Sequence, residues 1–75
     1  MESGYFPTAY EFACGGTVHK EINGFWVEIY YESNCYHVRK GILGGKWFIW
    51  ETYDNTIPNK FRAAKKKFKS LLKGE

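Results

Sequence analysis

Residues 17–31 read Thr-Val-His-Lys-Glu-Ile-Asn-Gly-Phe-Trp-Val-Glu-Ile-Tyr-Tyr, two alternating runs on either side of Asn23-Gly24. Asn-Gly between alternating runs is the strongest short-range hairpin signal, because both turn positions need positive φ and these residues reach it at least cost. A two-residue loop fixes the register, setting Ile22 opposite Phe25, Lys20 opposite Val27 and Val18 opposite Ile29. These residues and Tyr31 form one predominantly apolar face. The other face collects Thr17, His19, Glu21, Trp26, Glu28, Tyr30 and Glu32.

Working outward, a second turn falls at Ser33-Asn34-Cys35. Any even-length loop there keeps Val38 on the apolar face and places His37 and Arg39 on the polar one, with Arg39 near Glu28 or Tyr30. A third turn at Gly44-Gly45 leads into a strand over 46–53. A two-residue loop sends Trp47, Ile49 and Tyr53 inward, whereas a three-residue loop sends Phe48 and Trp50 inward, and the pattern does not choose between them. In either case a large aromatic pair joins Trp26 and Tyr30 on the outer face.

Asp54-Asn55-Thr56 supplies turn and capping oxygens, and Pro58 suits the first turn of a helix. From about Pro58 to Lys73, Phe61, Ala64, Phe68, Leu71 and Leu72 recur at helical spacing, and Gly74 can close the helix. Arg62, Lys66, Lys69 and Lys73 form a second stripe about 130° round the cylinder. At the other end, Pro7–Cys14 reads as a short helix stopped by Gly15-Gly16, or as an extended arm packed on the domain, with the helix favoured. An arm folded over the outer sheet face would bury its rings.

The expected fold is therefore α+β: a three- to four-stranded antiparallel β-meander against one C-terminal amphipathic helix, with a short N-terminal helix possible. All 75 residues belong to one domain, divided into an arm or short helix over 1–15, the meander over 16–53 and the basic helix over 57–73. At this length a core has little material to work with, and the 20% aromatic content answers that need.

Charge is segregated along the chain. Up to Asp54 there are four basic and seven acidic residues, a net −3; from Asn55 onward seven basic residues face one acid, a net +6, and together these give the chain's +3. A concentrated basic stripe is the usual footprint for a polyanion. Solvated helix faces normally mix signs to gain i, i+4 pairs, yet here each such pair on the stripe is basic with basic.

Other chemistry has less support. Cys14, His19, Cys35 and His37 have a C-x4-H…C-x-H spacing that matches no common zinc pattern, and no third group orients a Cys–His pair. Glu28 with His19 reads as a cross-strand contact rather than an acid–base pair. The paired glycines read as turns, not as a phosphate-binding loop. No enzyme activity, metal or cofactor is expected. The two cysteines are expected to be reduced, and the lack of a basic, apolar leader suggests the cytoplasm, with no membrane association.

Two function classes follow. The first is a small non-catalytic nucleic-acid-binding domain, DNA or RNA, contacting phosphates through Arg62, Lys66, Lys69 and Lys73. The second is a protein-interaction module, an inhibitor, accessory subunit or homodimer, using Trp26, Tyr30, His37 and Arg39 on the outer face. At the level of element order, a sheet followed by a packed helix resembles plant AP2-type and transposon-integrase N-terminal DNA-binding domains. Glu51-Thr52-Tyr53-Asp54 is similar to the strand end of the AP2 pattern. That resemblance spans residues 25–70 and implies a sheet that reads the major groove. The arginine-rich strands of that family are missing here, so no residue role is carried over. With Pro7–Cys14 helical, the order also resembles a double-stranded RNA-binding domain, without that family's Lys-Lys loop-to-helix motif.

Overall fold

A computed structural model describes residues 6–74. Among them the chain forms α1 (Ala9–Ala13), β1 (Thr17–Ile22), β2 (Phe25–Glu32), β3 (Cys35–Ile42), β4 (Trp47–Tyr53) and α2 (Lys60–Leu72). The strands make one antiparallel sheet in the order β1-β2-β3-β4. This is the expected α+β meander with a C-terminal helix and a short N-terminal one.

The Asn23-Gly24 turn sets the first hairpin as its geometry requires. Both residues have positive φ, 51° and 84°, and the pairs Ile22–Phe25, Lys20–Val27 and Val18–Ile29 form as expected. The second turn is the two-residue Ser33-Asn34, again with both φ positive at 57° and 64°. It pairs Glu32 with Cys35, Tyr30 with His37, Ile29 with Val38 and Glu28 with Arg39.

The third connection departs from both expected alternatives. It spans residues 43–46, and a β-bulge between Lys40 and Gly41 shifts the pairing, so that Lys40 faces Ile49 while Gly41 faces Trp47. The extra residue is Phe48, which lies against Phe25 on the α2 side at 5.8 Å between ring centroids. As a result Ile49 and Tyr53 turn toward α2, while Trp47 and Trp50 both stay on the outer face. A bulge adds one residue to one strand only, which is why an unbroken period of two sorted these side chains wrongly.

α2 covers β2, β3 and β4. Its Ala64, Phe68 and Leu71 are at most 2% exposed, and they close on Val27, Ile29, Tyr36 and Val38 from the sheet. α2 begins two residues later than Pro58, because Asn59 takes the cap position: its Oδ1 accepts from the Arg62 N–H at 3.3 Å. Asp54 instead closes its own turn by accepting from the Thr56 N–H and hydroxyl.

α1 is capped by Thr8, not opened by Pro7. The Thr8 Oγ1 accepts from the Glu11 N–H while the Glu11 carboxylate accepts from the Thr8 N–H, a capping box. Phe12, fully buried, packs its ring on Tyr36 and Phe61, and Phe6 joins Phe12, Phe61 and Phe68. The N-terminal segment thus seals the α2 side of the sheet and leaves the outer face uncovered from Phe6 onward. Residues 1–5, the first part of the expected arm, lie outside the described residues.

Candidate nucleic-acid interface

The position of the basic ridge follows from what α2 buries. With Ala64, Phe68 and Leu71 turned to the sheet, 3.6 residues per turn carries Arg62, Lys66, Lys69 and Lys73 to the solvent side, and all four are exposed. Along the axis the ridge covers about 16 Å at 1.5 Å per residue. Lys66, Lys69, Ser70 and Lys73 also border a shallow depression of about 360 Å³.

The seven basic residues of this region divide into two groups. Lys60 is tied down: its Nζ donates to the Asn34 carbonyl and to Asn55 Oδ1, both at 2.6 Å, and lies 5.3 Å from the Tyr31 ring centre. Lys65 sits 4.9 Å from the Phe6 ring centre, and Lys67 pairs with Glu51 at 3.5 Å. The four ridge cations have no ion pair or hydrogen-bonding side-chain partner among the described residues. The carboxylates of the described residues therefore leave the ridge charge unneutralised, and each near neighbour along it repels the next by a few tenths of a kcal/mol.

The outer sheet face is built differently. Arg39 stands at its centre, with its guanidinium 4.8 Å from the Tyr30 ring centre, 4.3 Å from Trp47 and 4.6 Å from Trp50. Glu28, directly across the β2–β3 pair, holds that guanidinium through contacts of 2.5 and 2.6 Å. His37 stacks on Tyr30 at 4.9 Å, and its Nδ1 lies 3.4 Å from Trp50 Nε1 and 3.3 Å from Thr52 Oγ1. On the far side His19 meets Trp26 edge-on at 4.1 Å and approaches Glu28 at 3.7 Å. Burial of the Tyr30 hydroxyl raises its pKa, with Arg39 opposing and Glu32 and Glu28 reinforcing the shift.

The structure thus brings Trp26, Tyr30, His37 and Arg39 onto one face, with Trp26 linked to the rest through Trp47 at 6.5 Å. Arg39 is the side chain least free to meet a partner, being both ion-paired and enclosed by rings. Trp50, half exposed, presents more ring surface. Sequence reasoning did not single out Trp47 and Trp50 as the walls around Arg39. The signal for them was Gly41: a glycine inside a strand marks a bulge or a close approach, and a Cβ there would lie 2.6 Å from the Lys46 carbonyl oxygen and 3.0 Å from Trp47.

Among the described residues, no three or more of His, Cys, Asp and Glu converge as a metal site would need, and Cys14 and Cys35 are both free thiols. No described helix is long and apolar enough to cross a membrane. No protein family matches this chain, and neither a curated protein nor a solved structure matches it.

Proposed function

We propose that this protein is a non-catalytic, cytoplasmic nucleic-acid-binding domain that grips the phosphate backbone with the exposed ridge of α2. One observation carries the reading: among the described residues Arg62, Lys66, Lys69 and Lys73 all face solvent without a side-chain partner, while Lys60, Lys65 and Lys67 are taken up by the protein's own groups. A cationic row kept bare gains most of its free energy from releasing counterions on a polyanion.

The geometry favours backbone contact over base reading. Single-strand binders place aromatic rings beside the basic track so that bases can stack. Here the open aromatic face lies on the side of the sheet opposite α2, and its exposed acids, Glu21 and Glu32, oppose phosphates. Duplex nucleic acid, held through phosphates with little sequence preference, is the substrate class that suits the ridge.

The test is a titration of duplex DNA, duplex RNA and single strands at two or more salt concentrations. Four phosphate contacts give a slope of log affinity against log salt of about −3.6 on B-DNA, and Arg62→Glu with Lys66→Glu abolishes binding. Absent or salt-independent binding overturns the proposal. A second reading has a specific observation behind it: neither helix packs on the outer face among the described residues, and Trp50 on it is half exposed. That reading, a protein-interaction surface, predicts loss of a partner on Trp50→Ala or Tyr30→Ala with nucleic-acid binding unchanged.

A further inference from the structure

Between the Asn23-Gly24 end of the sheet, β4 and the C-terminal end of α2 runs an open cleft of about 500 Å³. Its walls include Ile22, Phe25, Phe48, Leu71 and Leu72, and Phe48 leaves 55% of its surface uncovered. Two cations, Lys40 and Lys73, also line it, and none of the described residues that line it is acidic.

Lys40 is the unusual member. It lies on the face of β3 that α2 covers, between Val27 and Ile49 on the neighbouring strands, and only 8% of it is exposed. A buried ammonium is costly unless paired. Among the described residues its one acceptor is the Leu71 carbonyl at 3.5 Å, the outer limit of a hydrogen bond, and the Phe25 ring centre is 4.9 Å away. Both contacts suit a cation, since a helix C-terminus and a ring face are electronegative. They still leave an ammonium with three N–H groups mostly unspent, and no carboxylate among the described residues pairs with it.

We propose that this cleft binds a small organic acid. The carboxylate pairs with Lys40, assisted by Lys73 at the mouth, and a short apolar body lies against Phe25, Phe48 and Leu72. A carboxylate matches the single buried charge. A phosphate monoester brings a charge nearer two and three acceptor oxygens, more than one buried ammonium satisfies. The site is distinct from the phosphate-binding ridge, sharing only Lys73 with it.

Octanoate and its uncharged isostere octanamide, titrated into the full chain and followed by two-dimensional NMR, test the assignment. Octanoate saturates the protein with the largest shifts at Ile22, Phe25, Phe48 and Leu72, while octanamide binds at least about tenfold more weakly, as expected when a charged hydrogen bond is lost. Lys40→Met weakens octanoate by a similar factor. Equal binding of acid and amide, shifts centred elsewhere, or no saturation overturns the proposal. The acid–amide comparison uses the unaltered chain, so it decides even where Lys40→Met does not fold.

Discussion

Gly41→Ala sets two effects of opposite sign against each other. Replacing a strand glycine by alanine ordinarily stabilises by about 0.5–1 kcal/mol, because the unfolded chain loses freedom. At Gly41, however, the new Cβ would meet the Lys46 carbonyl oxygen at 2.6 Å and the Trp47 Cα and ring at 3.0 Å. Two of these three atoms are backbone, held by the bulge, so no side-chain rotation relieves the contact. Forced overpacking of this kind costs roughly 1–3 kcal/mol, and the net expectation is a loss of about 1–2 kcal/mol. With an m value of about 1 kcal/mol/M for so small a chain, the urea midpoint falls by about 1–2 M. Moving Trp47 also opens the enclosure of Arg39, so the ring-current shift of the Arg39 side-chain N–H signals decreases. Gly45→Ala is the control: its nearest contacts are at 3.4 Å, and its stability stays within about 0.5 kcal/mol of the parent's. A Gly41→Ala protein as stable as the parent, with Arg39 signals unmoved, would refute the account of the bulge.

Further expectations concern the turns, the ion pair and acid stability. Ser33→Gly stabilises the second turn by up to about 1 kcal/mol in chemical denaturation, since Ser33 holds a φ of 57° that costs a residue other than Gly, Asn or Asp about 1–2 kcal/mol, offset by about 0.5–1 kcal/mol of extra unfolded-chain entropy from the glycine. Glu28→Gln lowers stability by about 1–3 kcal/mol, because Arg39 loses its charged acceptor while remaining enclosed by rings; a melting temperature equal to the parent's would contradict this. Phe68→Ala, at a site only 2% exposed, costs about 3–5 kcal/mol and leaves the chain largely unfolded by circular dichroism. The Thr56 hydroxyl and N–H hold the Asp54 carboxyl below its ordinary pKa of 3.8. A depressed folded-state pKa adds stability above 3.8 that is lost as the pH falls through the lower folded value. Thr56→Val therefore raises the Asp54 pKa in an NMR titration and makes the acid limb of the stability curve shallower.

Much of the architecture could be read from local chemistry. Asn23-Gly24 determined the register of the first hairpin, because a two-residue turn leaves no freedom once alternation chooses a face. The second hairpin followed from parity alone. The stripe on α2 was legible because the residues it buries repeat at helical spacing over three turns. β4 was not legible, since a bulge changes the phase of alternation and leaves only a mid-strand glycine as its trace. Lys40 escaped notice for another reason. Its position opposite Val27 places it on the buried face, but a lysine among apolar residues draws attention only once α2 is known to end above it. Which of the seven cations are taken up by the protein's own groups was likewise beyond reach of the sequence, because the capture of Lys67, Lys60 and Lys65 depends on where Glu51, Asn34 and Phe6 arrive in space.

The strand order β1-β2-β3-β4 bears on how quickly the chain reaches this state. Every strand pairs with its neighbour in sequence, so each ladder closes only a short loop and the entropy of closure is small. Successive hairpins zip from their turns on microsecond timescales, and α2 is the one large element that must return across the sheet. Folding rates track the sequence distance of native contacts. This topology thus leaves the inner edges, those between β1 and β2, β2 and β3, and β3 and β4, unpaired only briefly, which limits the time a ring-rich chain can stick to its neighbours as it is made.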